Sequence, residues 1–189
     1  MNVSEEVLDR PRLATVWLGG CSGCHMSFLD LDEFLIELAQ KVDFVFSPLT
    51  DGKEYPERVD LCLIEGAVAN NEHLEMVHKI RERTRTVISF GDCAVTGNVT
   101  AIRNQLGPAN ADLVLRRAYI ETADVNQQIP SEPGIVPVLL GRVMPVHEAI
   151  HVEYYLPGCP PRADRIKSFV SQVLAGEEPK MAAEDIKFG

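Results

Sequence analysis

No apolar run in this chain approaches the roughly 18 residues needed to cross a bilayer, so no segment reads as a transmembrane helix. No secretory leader is expected either. The N-terminus "MNVSEEVLDRPRL" has no basic region followed by an apolar one, and Arg10-Pro11-Arg12 is not a twin-arginine signal. A cytoplasmic protein with no membrane partner is the expectation. Positive charge is scarce: 18 Lys and Arg stand against 28 Asp and Glu, for a net charge of −10. Phosphate binding needs a basic stripe, and "RERTR" (81 to 85) and "LRRAY" (115 to 119) read instead as solvated helix faces, so nucleic acid is excluded as a partner. Cysteine is sparse and odd in number, with five in all. In a reducing cytoplasm that count does not describe a disulfide framework.

What is present is ordinary for a globular chain. The 189 residues are 46% hydrophobic and 24% charged, enough for one domain with a core of its own. Aliphatic and β-branched runs at 12 to 18, 42 to 47, 60 to 65, 86 to 90 and 151 to 156 predict strands, with a weaker one at 136 to 140. Helical spacing predicts one helix from Ser27 to Lys41 with Ser27 as its cap, and others over 71 to 84 and 163 to 175, the last stopped by Gly176. Strands alternating with helices build βαβ units. The fold class is therefore α/β: a flavodoxin-like open parallel sheet with helices on both faces. It spans 1–189 as a single domain, with 1–11 an N-terminal extension and 177–189 a C-terminal tail. Residues 97 to 137, rich in Gly, Pro, Asn and Gln, break the rhythm and read as an elaborated connection with one helix near 109 to 118.

On that scheme the cysteines fall in a pattern. "GGCSGCHMS" (19 to 27) puts Cys21 and Cys24 after the first strand; "GDCAVTG" (91 to 97) puts Cys93 after the strand at 86 to 90; "PGCPPR" (157 to 162) puts Cys159 after the last. All four sit in glycine-containing turns at the carboxyl ends of strands, the edge where open α/β sheets bind their ligands. Such thiols suit an iron–sulfur cluster, whose sulfides accept backbone N–H bonds and require the chain to come close without a Cβ in the way. Two other readings stand beside it. A zinc site usually pairs two Cys-x2-Cys knuckles, and here the second pair is dispersed. A thioredoxin-like dithiol leaves Cys93 and Cys159 without a role. Cys62, inside the run "DLCLIE", reads as core filler.

With Cys-x2-Cys, Gly-Asp-Cys and Pro-Gly-Cys-Pro-Pro in that order, the chain resembles the small subunits of [NiFe] hydrogenases, whose relatives include the cluster-bearing subunit of respiratory complex I. The resemblance runs from "VWLGGCSGCHMSFL" through "LIEGAVANNEHLE" and "ISFGDCAVTGNV" to "YYLPGCPPRADRI". Complex I subunits carry adjacent cysteines where this chain has Ser22-Gly23 between them. Larger hydrogenase small subunits hold two further clusters beyond the last of these motifs, and no cysteine follows Cys159 here. What remains looks like the single-cluster small subunit of cytoplasmic NAD-reducing (bidirectional) [NiFe] hydrogenases. That resemblance implies one [4Fe-4S] cluster on Cys21, Cys24, Cys93 and Cys159. It places the Ni–Fe centre on a large subunit, with FMN, NAD and further clusters on diaphorase subunits. A related oxidoreductase with a quinone or sulfur acceptor is the alternative; a zinc-stabilised binding module is a lesser one.

The remaining polar residues carry weaker expectations. Glu65 reads equally as an interface carboxylate, engaged in proton traffic, or as a turn residue. His25 reads as an exposed loop histidine, and His147 and His151 are declined as ligands. Asp92 is expected to bond turn amides. "TGNVT" (96 to 100) superficially resembles a flavin phosphate loop but follows the wrong strand, so no FMN is expected on this chain.

Overall fold

A computed structural model of the chain describes residues 10–181. The terminal extension and the tail foreseen at 1–11 and 177–189 lie mostly outside those residues. Five strands form a parallel sheet: β1 (Arg12–Trp17), β2 (Asp43–Phe46), β3 (Val59–Glu65), β5 (Thr84–Phe90) and β7 (Tyr154–Leu156). Their order is β2-β1-β3-β5-β7, the flavodoxin-like arrangement of an open sheet. A separate antiparallel ribbon pairs β4 (Val68–Asn70) with β6 (Leu139–Met144).

The strands are buried on both faces, and alternate residues serve opposite cores. Leu13, Leu61, Leu63, Ile88, Phe90 and Leu156 pack with α1 (Gly23–Leu29), α2 (Phe34–Lys41) and α7 (Ala163–Leu174). Ala14, Val16, Cys62, Ile64 and Val87 face the other way, toward α3 (Asn71–Arg83), α4 (Asp92–Thr96) and α6 (Val146–Ala149). Burying each large side chain contributes about 1.5–3 kcal/mol. Cys62 is fully buried in that second core, as its place in a strand implied.

Two local expectations differ from the structure. The helix foreseen from Ser27 to Lys41 is two helices, α1 and α2, separated by a turn in which Asp32 has a φ of 50°. The periodicity hid the break because Phe28, Leu31, Phe34 and Leu38 are all buried in the same core on either side of it. Ser27 is not a cap; it lies inside α1, and its hydroxyl donates to the Pro161 carbonyl at 2.5 Å. The weak strand at 136 to 140 forms later, as β6, because its pairing partner is β4. The connection over 97 to 137 carries a 3-10 segment (Asn98–Leu106) and α5 (Asn110–Arg116). Arg103 binds it to the ribbon through the Ala69 and Leu140 carbonyls, at 3.0 and 2.8 Å. Among the described residues no helix is long and apolar enough to cross a membrane.

Candidate functional site

Trp17, Glu65, Phe90 and Leu156, the last residues of β1, β3, β5 and β7, stand in one register row across the sheet. Each chain then leaves the sheet at the same rim. Cys21 follows β1, Cys93 follows β5 and Cys159 follows β7, while Cys24 sits in the first turn of α1. The row therefore brings three cysteine-bearing loops together, as the strand–loop pattern implied. Cys24 and Cys93 are 7% and 8% exposed, whereas Cys21 and Cys159 are open to solvent. All five cysteines are free thiols.

The thiols act on one another. Burial pushes the Cys24 thiol pKa up, and Glu65, Cys93, Cys21 and Cys159 each add to the shift. Burial likewise raises Cys93, with a hydrogen bond from Thr100 opposing and the charges of Cys159, Cys21 and Glu65 adding. Each thiol that ionises thus makes the ionisation of Cys24 and Cys93 harder. Among the described residues no group of three or more His, Cys, Asp or Glu is placed to hold a single metal ion.

The loops are braced by buried polar groups. Glu65, 1% exposed at the end of β3, accepts from the Cys24 amide at 3.2 Å, the His25 amide at 2.9 Å and the His25 ring Nδ1. That places a carboxylate under the opening turn of α1, where its otherwise unpaired amides want an acceptor. His25 is 4% exposed, not the loop residue its sequence suggested. Its partner Glu65 stands at the end of a strand, forty positions along the chain, which sequence spacing does not reveal. Its Nε2 is buried without a hydrogen-bond partner among the described residues. Across the rim Asp92 Oδ1 accepts the Gly158 amide at 2.6 Å and the Asp92 amide donates to the Gly158 carbonyl at 2.9 Å, so the Cys93 and Cys159 loops are stitched together as expected of Asp92.

Glycine is required at two points. Gly66, at φ 91°, turns the chain against Leu18 and Gly19, where a Cβ would lie 2.9 Å from both carbonyl carbons. Gly91, at φ 83°, leaves the space that Cys24 Sγ occupies; a Cβ there would overlap the sulfur. His147 meets Tyr155 edge to face at 5.7 Å, and His151 lies exposed, 3.4 Å from Glu153. Neither joins the thiols.

Residues 21–173 match the family of the NADH ubiquinone oxidoreductase 20 Kd subunit. The chain is 39% identical over 183 residues to a subunit of the F420-non-reducing hydrogenase of Methanothermobacter marburgensis, covering 94% of this chain and 58% of that protein. It is 38% identical over 169 residues to the NAD-reducing hydrogenase HoxS subunit delta of Cupriavidus necator, covering 87% of this chain and 79% of that one. It spans a little over half the length of the F420-non-reducing hydrogenase relatives. A solved NAD+-reducing [NiFe]-hydrogenase, in its H2-reduced state, contains a chain that superposes with a TM-score of 0.88 at 38% identity, over 95% of this chain and 99% of that one.

Proposed function

The chain belongs to the family of the NADH ubiquinone oxidoreductase 20 Kd subunit, and on that footing we propose that it is the electron-transfer small subunit of an NAD-reducing [NiFe] hydrogenase. Cys21, Cys24, Cys93 and Cys159 hold one [4Fe-4S] cluster. The observation that carries this reading is the shared register row, which delivers the thiol-bearing loops to one rim. The residues fit the group: they offer four thiols, a glycine cradle at Gly91 that a Cβ would fill, and two of the thiols are shielded from water.

When bound, the cluster passes single electrons between a Ni–Fe centre on the large subunit and the FMN and further clusters of a diaphorase module that reduces NAD+. The chain's own residues prepare that task. Cys24 and Cys93 release their protons on ligation, since only thiolates bind iron. Glu65 fixes the amides of Cys24 and His25, and Asp92 fixes the Gly158 turn, so the ligands are held before metal arrives. Trp17, Met26 and Tyr155, exposed on or beside the cysteine-bearing loops and strand ends, suit a rim covered by another subunit.

Iron and sulfide analysis with EPR of the reduced, anaerobically purified chain tests this directly: about four irons per chain are expected for a cubane. Co-purification of a nickel-containing large subunit and a flavoprotein that reduces NAD+ is the second expectation. A chain free of iron sinks the proposal. The identity to the F420-non-reducing hydrogenase of Methanothermobacter marburgensis supports a second reading, the same relay serving an acceptor other than NAD+. The subunits that purify with the chain decide between them.

A further inference from the structure

The segment Gly97–Thr100 follows β5 and α4 and has no place in the ligand set. It lies nevertheless on one of the ligands. Asn98, with a φ of 33°, reaches back so that its side-chain Nδ2 donates to Cys159 Sγ at 3.6 Å. Asparagine tolerates such a φ where most residues do not. Thr100, two residues on, anchors the same segment to the first cysteine loop: its hydroxyl donates to the Gly19 carbonyl at 2.8 Å. Arg103 and Asn104, further along the 3-10 segment, tie it to the β4–β6 ribbon, so the Asn98 donor is not free to drift.

We infer that Asn98 is a positioning residue that sets the reduction potential of the site, by donating a hydrogen bond to the sulfur of Cys159. The inference rests on the cluster reading above. A one-electron reduced cluster carries one more negative charge than the oxidised one. Donors aimed at its sulfurs therefore stabilise the reduced form and raise the potential. The sign separates this role from a merely structural one. Loosening the loop admits water, which also favours the more highly charged reduced form and moves the potential upward; removing a donor moves it downward.

The test is a dithionite titration of the anaerobically purified full chain, read by EPR, on wild type, Asn98→Gly and Asn98→Asp. Glycine keeps the backbone conformation and deletes the donor; aspartate keeps the shape and presents a negative oxygen instead. Asn98→Gly is expected to lower the ratio of reduced to oxidised cluster about tenfold at fixed poise, equivalent to about 59 mV for one electron. Asn98→Asp should fall further. Variants that keep about four irons and titrate at the wild-type potential, or above it, overturn the inference and leave the cluster reading intact. Iron loss in both Asn98→Gly and Asn98→Asp replaces tuning with a holding role, which also overturns it. A wild-type chain without iron removes both.

Discussion

Replacing Gly91 with alanine separates backbone strain from the space the site requires. Two costs meet at this position. A left-handed φ of 83° costs an L-residue roughly 1–2 kcal/mol. The new Cβ also overlaps Cys24 Sγ. Ordinary non-bonded contact is about 3.5–4.0 Å, so the sulfur or the loop must retreat by more than about 1 Å. Overpacking of that kind costs about 1–3 kcal/mol where the surroundings cannot give. Gly107 supplies the control: its φ is 79°, yet nothing lies within 4 Å of the Cβ it would acquire. Gly107→Ala should lose only the strain, lowering the apo-protein melting temperature by about 2–4 °C per kcal/mol in a chain of this size, and should load iron normally. Gly91→Ala should lose about 2–5 kcal/mol and bind less than half the wild-type iron, because the displaced atom is itself a ligand. Iron and sulfide assays, with thermal melts of the apo proteins, read both effects. A Gly91→Ala protein with a full iron complement and a melting shift equal to that of Gly107→Ala would refute the reasoning.

In the cluster-bound protein Cys21, Cys24, Cys93 and Cys159 should all resist iodoacetamide; after iron removal Cys21 and Cys159 should react first, Cys24 and Cys93 slowly for their burial and raised pKa, and Cys62 not at all, as peptide mass mapping would show. Fast labelling of Cys24 in the apo chain would contradict its assigned environment. Cys62→Ser should retain iron but lose about 1–3 kcal/mol, since a hydroxyl enters a fully buried site, whereas Cys93→Ser should strip or convert the cluster and stop electron flow. Burial pushes the Cys62 thiol from 9.0 up to about 12, so the unfolded chain ionises first; apo stability should fall as pH rises from 9 toward 12, and Cys62→Ser should flatten that fall in melts taken across the range. Glu65→Gln turns an amide group toward donors and leaves one of them unpaired, at a cost of about 1–3 kcal/mol, seen as a lower melting temperature and faster iron loss to a chelator; unchanged behaviour in both would show that Glu65 does not brace the loop.

Much of the scaffold is legible in the sequence because buried parallel strands leave a plain trace. "LATVW", "DLCLIE" and "TVISF" are aliphatic runs that fill both cores, and each ends where a glycine-containing loop begins. The break between α1 and α2 is not legible, since the apolar spacing continues through the turn at Asp32. The ribbon β4–β6 depends on a partner far along the chain. His25 reads as an exposed residue for the same reason: its burial is decided by Glu65, forty positions away, whose carboxylate takes the His25 amide across the rim.

The amino-acid sequence by itself determined the chemistry on offer: four thiols in glycine turns behind strands, and one thiol inside a strand. Only the tertiary structure decided how those thiols differ. Register across β1, β3, β5 and β7 chose the rim, and packing made Cys24 and Cys93 dry while leaving Cys21 and Cys159 wet. The physical reason is that a thiol's bonding capacity is local, whereas its dielectric, its neighbours' charges and the donors aimed at it come from residues that meet only when the sheet has closed.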